Sequence, residues 1–354
     1  MKVKVGEITK IKTGKLDANA SSADGKYPFF TCSKDPLRIN SYSYDCECVL
    51  VAGNGDLNVK YYNGKFDAYQ RTYIIEDNSN GLLYMPYLYH FLEGYIGELR
   101  KQSIGGVIKY IKLGNLTDVL VELPSIEEQK YIVNLMNISL ELIELRKKTI
   151  DKLDSLVKAR FIEMFGDPVS NSKHLPLKTL PQLGTFGRGV SKYRPRNAPE
   201  LLNGPYPLIQ TGDIANSELY IKNYNSTYSE VGLKQSKMWD KGTLCITIAA
   251  NIAKTAILQF DACFPDSVVG FNGNNFTNNI FIYYWFSFFQ EILENQAPES
   301  AQKNINLKIL SELQIITPDI IEQNKFVHFV RHVDKSRFDI KKSIIELERE
   351  VVYD

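Results

Sequence analysis

Two glycine-containing basic segments hold the side chains best suited to binding a polyanion. Lys10, Lys12 and Lys15 surround Thr13-Gly14, and residues 187–196 contain four basic residues and no acid. Lysine and arginine neutralise phosphates, and arginine can also donate two hydrogen bonds to a guanine edge. A solvated surface loop is the alternative for either segment alone. Because the segments occupy corresponding places in two halves of the chain, we predict that both bind nucleic acid.

Amide, hydroxyl and basic residues near further predicted turns extend this site, since such side chains can hydrogen-bond base edges. Loops are rich in these residues anyway, so an ordinary surface residue is the alternative for each one. The complete predicted DNA-binding set is Lys10, Lys12, Lys15, Asn54, Asn58, Lys60, Arg71, Gln102, Lys109, Arg188, Ser191, Lys192, Tyr193, Arg194, Asn251, Lys254, Gln302 and Lys303.

Catalytic and metal-binding motifs are missing from the sequence. It has no Asn/Asp-Pro-Pro-aromatic motif of adenine methyltransferases and no G-x-x-x-x-G-K-[ST] phosphate loop. His328 and His332 are four residues apart, but Phe329 stands where a zinc protease has glutamate. The five cysteines suggest neither a disulfide framework nor a zinc site. We therefore predict no catalytic residue and no metal.

Composition limits the classes of protein that this chain can belong to. Its 354 residues are 44% hydrophobic and 23% charged, which is typical of two or three globular domains. The net charge of +1 argues against a free-standing, non-specific nucleic-acid binder. The first seven residues show no apolar signal region, and the aromatic run 281–289 is too short to cross a bilayer. A cytoplasmic protein without membrane contact is expected.

An internal repeat organises the chain, and it must position these basic segments. A shift of 194 residues places Leu113 on Leu307, Pro124 on Pro318 and Gln129 on Gln323 without a gap. Each copy begins with short β-rich runs, continues with an amphipathic helix, and ends with a short strand, a proline and a long helix. Ser125 and Asp319 are the predicted N-caps of the long helices.

Both long helices carry apolar residues at alternating spacings of three and four, which is the pattern of a coiled coil. Packing of each helix on its own domain is the alternative. Additional apolar residues beside the first seam, at Leu135, Leu142, Leu145, Leu156 and Phe161, suggest a further partner. The predicted seam consists of Ile132, Met136, Ile143, Arg146, Ile150, Leu153, Val157, Phe326, Val330, Val333, Arg337, Ile340, Ile344 and Leu347.

Three motifs in this order carry a resemblance to a known family. They are Pro124-x-x-x-Glu128-Gln129, Met164-Phe165-Gly166-Asp167-Pro168 and Pro318-x-x-x-Glu322-Gln323. Together with the duplication, they make nearly the whole chain resemble the specificity subunit of type I restriction-modification enzymes.

The resemblance implies two target-recognition domains that each read half of a split DNA site. It also implies an antiparallel coiled coil that docks two methyltransferase subunits, with restriction/translocase subunits completing the complex. S-adenosylmethionine, ATP and magnesium are then expected only on the partner subunits, and this chain holds no cofactor.

We therefore predict an α+β fold with two similar target-recognition domains separated by two long helices that form an antiparallel coiled coil. The predicted segments are 1–123 and 167–317 for the domains, and 124–166 and 318–354 for the helices. The predicted function is non-catalytic recognition of double-stranded DNA. A coiled-coil adaptor that binds only proteins is the main alternative, and a nuclease or methyltransferase acting alone is another.

Overall fold

The sequence repeat corresponds to two structural units in the computed structural model, which describes residues 1–249, 252–296 and 305–353. The first unit comprises Met1–Arg146 and Ser343–Asp354, and the second comprises Lys147–Lys342. The unit boundaries therefore fall inside the two long helices. The domain and helix segments predicted from the sequence are continuous stretches of the chain, whereas each of these units combines parts of both long helices with a domain. The predicted segment boundaries stay predictions.

The first unit is built on a six-stranded sheet in the order β2-β7-β5-β6-β3-β4, while β1 pairs with β8 apart from it. Its strands are β1 (Lys2–Lys4), β2 (Thr9–Thr13), β3 (Tyr27–Phe30), β4 (Leu37–Ile39), β5 (Tyr44–Ala52), β6 (Val59–Ala68), β7 (Thr72–Asp77) and β8 (Leu120–Glu122). Its helices are α1 (Val5–Ile8), α2 (Met85–Gln102), α3 (Gly114–Thr117) and the first part of α4 (Ile126–Phe165), with a 3-10 turn at Ala18–Ala20.

Both faces of the central strand β5 are covered over residues 48–52, which explains why this part of the strand is apolar without a break. Val49 and Val51 face the cluster that contains α2, whereas Cys48 and Leu50 face a second cluster on the other side of the sheet. On α2, the predicted apolar positions Leu88, Leu92 and Leu99 are fully buried. Each such side chain contributes about 1.5–3 kcal/mol of burial free energy.

The second unit distributes its strands over two sheets, in the orders β10-β18-β15-β16-β12 and β13-β11-β17-β14, with β9 paired to β19. Its strands are β9 (Leu177–Lys178), β10 (Gly184–Arg188), β11 (Leu202–Leu208), β12 (Tyr220–Ile221), β13 (Ser226–Tyr228), β14 (Met238–Trp239), β15 (Leu244–Thr247), β16 (Thr255–Leu258), β17 (Ala262–Cys263), β18 (Val268–Gly273) and β19 (Ile315–Ile316).

Helices of the second unit surround a core that is rich in aromatic residues. Phe281, Trp285 and Phe286 on one of them are fully buried. The helices are α5 (Leu180–Leu183), α6 (Thr211–Ala215), α7 (Glu230–Lys234), α8 (Asn279–Gln296), α9 (Leu307–Glu312) and α10 (Ile320–Tyr353), with a 3-10 turn at Pro199–Leu201.

The two units start and finish alike. A short strand, a four-residue helix and a longer strand open each one, as β1-α1-β2 and β9-α5-β10. In each unit the opening strand pairs antiparallel with the strand that precedes the long helix, β8 or β19. The copies differ in the strands between these ends, and the second copy is longer there.

Both long helices begin where the sequence predicted. The Ser125 hydroxyl accepts a hydrogen bond from the Glu128 amide at 3.3 Å, and the Glu128 carboxylate accepts one from the Ser125 amide at 3.0 Å. This reciprocal pair is a capping box. The Asp319 carboxylate accepts a hydrogen bond from the Ile321 amide at 2.7 Å. The N-cap predictions for Ser125 and Asp319 are therefore confirmed.

The long helices run antiparallel wherever they meet. In the first unit, an Arg146 guanidinium nitrogen donates to the Ser343 carbonyl at 3.1 Å. In the second, Arg337 pairs with Asp154, and the Phe161 and Phe326 rings meet edge to face with centroids 5.4 Å apart. Residues later in α4 thus contact residues earlier in α10, which is the antiparallel arrangement.

Every residue of the predicted seam is buried or half-buried. Of the residues flanking it, Leu135, Leu142, Leu145 and Leu156 are exposed. The prediction that Phe161 flanks the seam and meets a further partner is wrong, because Phe161 is fully buried and packs against Phe281 of α8. The last turns of α4 therefore belong to the core of the second unit as well as to the helix pair.

Candidate nucleic-acid interface

Lys10 and Lys12 lie on strand β2, and only Lys15 follows it, so the prediction of a basic loop here is wrong. The alternation Lys10-Ile11-Lys12 has the period of a strand. Lys12 forms an ion pair with Glu76 of β7 and lies 5.0 Å from the centre of the Tyr44 ring. The exposed Lys10 and Lys15 are better placed than Lys12 to reach a phosphate.

Asn54, Asn58 and Lys60 lie along one segment that leads from the turn after β5 into β6. The Asn58 side-chain nitrogen donates to the carbonyls of Cys32 and Asp56, both at 2.9 Å. Its oxygen accepts from the Lys60 ammonium, whose pKa is lowered by burial. Asn58 therefore uses its amide to hold this turn, while the exposed backbone at Gly55 faces outward.

A loop at residues 103–110 lies directly beside this turn. The Gly55 amide donates to the Lys109 carbonyl at 2.9 Å, and Asn54 forms a β-bridge with Tyr110. Gln102 ends α2 just before the loop, and its side-chain oxygen accepts from the Asn115 amide group at 3.1 Å. The structure thus brings together predicted residues that are widely separated in sequence.

Arg71 joins the same region from the turn between β6 and β7. Its carbonyl accepts a hydrogen bond from the Gly53 amide at 2.8 Å, and its side chain is exposed. A Cβ atom at Gly53 would lie 2.4 Å from this carbonyl, so the two turns can approach only because this residue is glycine. Polar side chains of three separate turns therefore share one edge of the first unit.

In the second unit, the basic segment after β10 is a loop, as the sequence predicted. Arg188 is the last residue of the strand, and the following Gly189 donates its amide to the Val268 carbonyl at 2.8 Å. A Cβ atom on Gly189 would lie 2.2 Å from the Phe264 carbonyl oxygen. This glycine therefore lets the loop leave the sheet across the adjacent backbone.

Three polar side chains hold the loop in shape. The Gln235 side-chain oxygen accepts from the amides of Lys192 and Tyr193 at 2.7 and 3.1 Å. Asp266 forms ion pairs with Arg194 and Arg196. The Tyr193 hydroxyl donates to Glu200 at 2.8 Å, which raises the pKa of Tyr193. The pKa of Glu200 is lowered by a hydrogen bond from its own backbone amide and, to a smaller extent, by the Tyr193 hydroxyl. A phosphate that binds Arg194 must compete with Asp266.

The remaining predicted DNA-binding residues of this unit differ in how far they are exposed. Ser191 is buried beneath the loop, so its hydroxyl does not face a ligand in this conformation. Lys254 is half-buried in a tight turn, where its amide donates to the Thr247 hydroxyl at 3.0 Å. Asn251, Gln302 and Lys303 lie outside the residues that the structure describes.

Gln235 and Asp266 were missed by sequence reasoning, although they determine the shape and charge of the basic loop. They lie 43 and 70 residues from their partners Lys192 and Arg196. No local pattern marks a glutamine or aspartate that acts over such a separation. A charge pattern could only have suggested that a loop with four basic residues needs an acid nearby.

The glutamine of the repeated Glu-Gln motif joins each long helix to its domain. Gln129 is fully buried, and its nitrogen donates to the carbonyls of Leu82 and Pro124 at 2.8 and 3.0 Å. Its oxygen accepts from the Tyr84 amide at 2.8 Å. The side chain thereby connects the start of α4 with the turn that precedes α2.

Gln323 repeats this joint in the second unit. It is also fully buried, and its nitrogen donates to the carbonyls of Phe276 and Pro318, both at 2.9 Å. Its oxygen accepts from the Asn278 amide and the Thr277 hydroxyl, both at 3.1 Å. The glutamine of this motif therefore connects the long helix to its domain. The sequence alone does not indicate this role, because the motif also resembles a helix-capping sequence.

A buried arginine fixes the helix pair in the second unit. Arg337 is 6% exposed and pairs with Asp154 of α4 and with Asp334 on its own helix. Burial raises the pKa of Asp334 in spite of this neighbour. Lys341, one turn further, pairs with Glu218. Burial opposes ionisation of Glu218, but the hydrogen bond and charge of Lys341 lower its pKa below the ordinary value.

Among the described residues, His, Cys, Asp and Glu side chains form no cluster of three or more that could hold a metal ion. The His328 and His332 rings meet edge to face on the exposed side of α10, with ring centres 4.4 Å apart. The described helices include none that is long and apolar enough to span a bilayer.

Comparison with known proteins relates this arrangement to one family. Residues 1–155 and 179–349 match the model of the type I restriction modification DNA specificity domain. The chain is 29% identical to the specificity subunit of the type I restriction enzyme EcoDI from Escherichia coli, over 97% of this chain and 83% of that protein.

Two solved structures share the fold. The S subunit of a type I restriction-modification system from M. genitalium aligns with a TM-score of 0.60 and 16% identity, covering 99% of this chain and 93% of that chain. A chain from a structure of type I system assembly and conformational transition aligns with a TM-score of 0.66 and 16% identity, covering 99% and 95%.

Proposed function

The chain belongs to the family of type I restriction-modification DNA specificity domains, and we propose that it is the non-catalytic subunit that reads the DNA target of such a complex. Each recognition domain contacts one half of a bipartite, asymmetric site. The observation that carries this proposal is that two units with the same beginning and end present different polar loops.

The difference between the loops supports recognition of two unlike half-sites. The first unit groups turns that carry Asn54, Arg71 and Lys109, whereas the second presents Arg188 and Lys192 on one long loop. Amide groups suit adenine and arginine suits guanine. A symmetric pair of identical loops would instead select a palindrome, because duplex DNA has its own two-fold symmetry.

The antiparallel helix pair is proposed to set the spacing between the half-sites and to dock two methyltransferase subunits. Exposed leucines at 135, 142 and 145 on α4 offer an apolar surface for those subunits. Restriction/translocase subunits complete the complex. S-adenosylmethionine, ATP and magnesium then bind only to the partner subunits. The complex works in the cytoplasm, where it binds DNA.

An adaptor that binds only proteins is the second candidate, and the same exposed leucines favour it. A gel shift of the chain with duplex DNA, with and without methyltransferase subunits, separates the two functions. An adaptor would assemble with the subunits without conferring sequence preference. A recognition subunit would direct methylation to one split sequence, which methylome sequencing of cells carrying the complex reads out directly.

Replacing Arg188, Lys192 and Arg194 with glutamine tests the assignment of half-sites. We expect weaker protection of only the half-site that the second domain reads, because phosphate and guanine contacts are lost there. The matched control replaces the exposed Lys234, Lys237 and Lys241 of the same unit with glutamine. A footprint in which both half-sites stay fully protected would show that this loop does not bind DNA.

Insertion of one heptad into each long helix tests the spacing role. Seven residues lengthen a helix by about 10 Å, which corresponds to about three base pairs. We expect the preferred spacer to lengthen accordingly, within the limits of the added twist. An active variant that keeps the original spacer would contradict this role of the helices.

A further inference from the structure

The loop at residues 103–110 presents an apolar tip that nothing within its own unit covers. Val107 is fully exposed and Ile108 is 62% exposed, with Gly106 before them and Lys109 after them. Branched aliphatic side chains are seldom left so open next to one another on a surface loop. Their exposure indicates a contact that forms with a partner.

Backbone hydrogen bonds and a glycine fix the conformation of this loop, so its tip is held in a defined position. Ile104 and Tyr110 exchange two backbone hydrogen bonds, at 3.0 and 2.8 Å, and so close a narrow ribbon. Gly105 adopts a φ of +115°, and a Cβ atom there would lie 2.6 Å from the Ile108 carbonyl oxygen. The turn therefore requires glycine at this position and holds Val107 at its end.

The surroundings of the tip suit a nucleic acid better than an apolar protein surface. The loop is joined to the Asn54–Asp56 turn through the bond from the Gly55 amide to the Lys109 carbonyl. On the flanks, Asp56 is paired with Arg100, which offsets its charge. Lys109 is exposed next to the apolar pair. Ile104 and Tyr110, at the base of the ribbon, are also 42% and 38% exposed. An apolar ribbon beside the polar turn at Asn54 and a lysine matches the mixed surface of a DNA groove.

Groove dimensions and chemistry select the ligand group. The major groove of B-DNA is about 12 Å wide and admits a two-stranded ribbon, whereas the minor groove is about 6 Å wide. The apolar group that bases display in the major groove is the C5 methyl of thymine. A valine and an isoleucine at the end of a ribbon are complementary to that methyl group.

We propose that Val107 and Ile108 contact thymine methyl groups in the major groove of the half-site that the first domain reads. This inference rests on the proposed function and deepens it, since it assigns A·T preference to a named loop. In the second copy the shift of 194 residues places Ala301 and Gln302 at these positions, so the second half-site should lack this contact.

Deoxyuridine substitution tests the contact on the complex of the full chain with its methyltransferase subunits. Once methylome sequencing has given the target, each thymine of the first half-site is replaced by deoxyuridine, which removes only the methyl group. We expect about fourfold weaker binding at each contacted position, as for one methyl group no longer buried. Thymines of the second half-site serve as the internal comparison.

Variants of the tip complete the test. Val107→Ser and Ile108→Ser should bind the natural site more weakly, with an unchanged dependence on salt, and should no longer distinguish thymine from deoxyuridine. Leu120→Ser is the matched control, because Leu120 is 59% exposed on β8 of the same unit. Gly105→Ala should act like the tip variants without removing an apolar atom, because it distorts the loop.

The possible outcomes separate the inference from the proposed function. If the wild-type complex reads a split site but binds thymine and deoxyuridine equally, the methyl contact is refuted while the function stands. If tip variants bind DNA normally but no longer assemble with methyltransferase subunits, the tip contacts protein and the inference is wrong. If the wild-type complex shows no sequence preference at all, the proposed function itself fails.

Discussion

Replacement of Gln323 by methionine should strongly destabilise the junction between α10 and its domain. Methionine has nearly the same length and shape, but it cannot form the four hydrogen bonds of the glutamine side chain. The side chain is fully buried, so water cannot replace these partners without rearrangement. The substitution therefore isolates the polar role of this position.

The expected cost follows from the groups that lose their partner. The carbonyls of Phe276 and Pro318, the Asn278 amide and the Thr277 hydroxyl each lose a hydrogen bond. An unsatisfied buried group costs about 1–3 kcal/mol, and partial access of water to the turn reduces the sum. We expect a loss of about 3–5 kcal/mol in the free energy of unfolding of the second unit.

Hydrogen exchange measured by mass spectrometry can localise this effect. Faster exchange is expected in the turn before α8 and in the first turn of α10, together with a lower urea midpoint. Gln314→Met is the matched control, because Gln314 is exposed and makes one long hydrogen bond of 3.5 Å. A loss below about 1 kcal/mol for Gln323→Met, or an equal loss for the control, would show that the Gln323 side chain does not hold α10 to its domain.

Three further predictions concern the ionic and polar contacts of the second unit. Arg337→Met should lower the free energy of unfolding by about 1–3 kcal/mol, measured by urea denaturation, because Asp154 and Asp334 lose their partner but stay partly solvated; a more stable variant would contradict this. Gln235→Leu should speed hydrogen exchange of the loop that follows β10 and weaken DNA binding about tenfold through lost preorganisation; unchanged exchange would show that the loop does not need it. Because Lys341 lowers the pKa of Glu218, the destabilisation by Glu218→Gln should be present at pH 7 and vanish as the pH falls below 4.5; a pH-independent difference between the two melting curves would exclude this pair.

The amphipathic and capping patterns allowed most of the architecture to be predicted. Periodicity predicted one amphipathic helix in each copy, which is α2 in the first and α8 in the second. The capping residues predicted the starts of α4 and α10. These signals are local, since a helix face repeats every three to four residues and a cap spans three. The gapless repeat added the long-range information that two such halves exist.

Strand boundaries were less predictable, because pairing partners decide where a strand ends. Residues 69–75 are rich in β-forming residue types, but Gln70 and Arg71 form a turn, and β7 begins at Thr72. In the same way, Lys10 and Lys12 looked like loop residues although β2 pairs them with β7. The residue types at these positions occur in strands and in loops alike, so pairing with the neighbouring strand decides which conformation forms.

The candidate site shows the same limit for side chains. Residue type identified Arg188 and Lys192 as exposed basic residues, but it placed the buried Ser191 on the same surface. The role of Gln129 was also hidden, since a glutamine after glutamate reads as part of a helix start. Its partners lie 45 and 47 residues away in the turn before α2, where no periodic pattern points.

Charge pairing explains how a chain with net charge +1 can bind DNA selectively. Lys12 with Glu76, Arg100 with Asp56, and Arg196 with Asp266 are already paired in the free protein. A phosphate that binds such a basic residue replaces an existing partner, so non-specific contact gains little free energy. We propose that base contacts made by the loops then supply a larger share of the affinity, which favours the correct sequence over the excess of other sites. Asp266→Asn keeps a side-chain oxygen that can accept from the arginines of the loop and removes only the competing charge. It should therefore strengthen binding to any DNA and reduce the ratio between specific and non-specific affinity, whereas weaker binding to both would show that the Asp266 charge is needed to hold the loop.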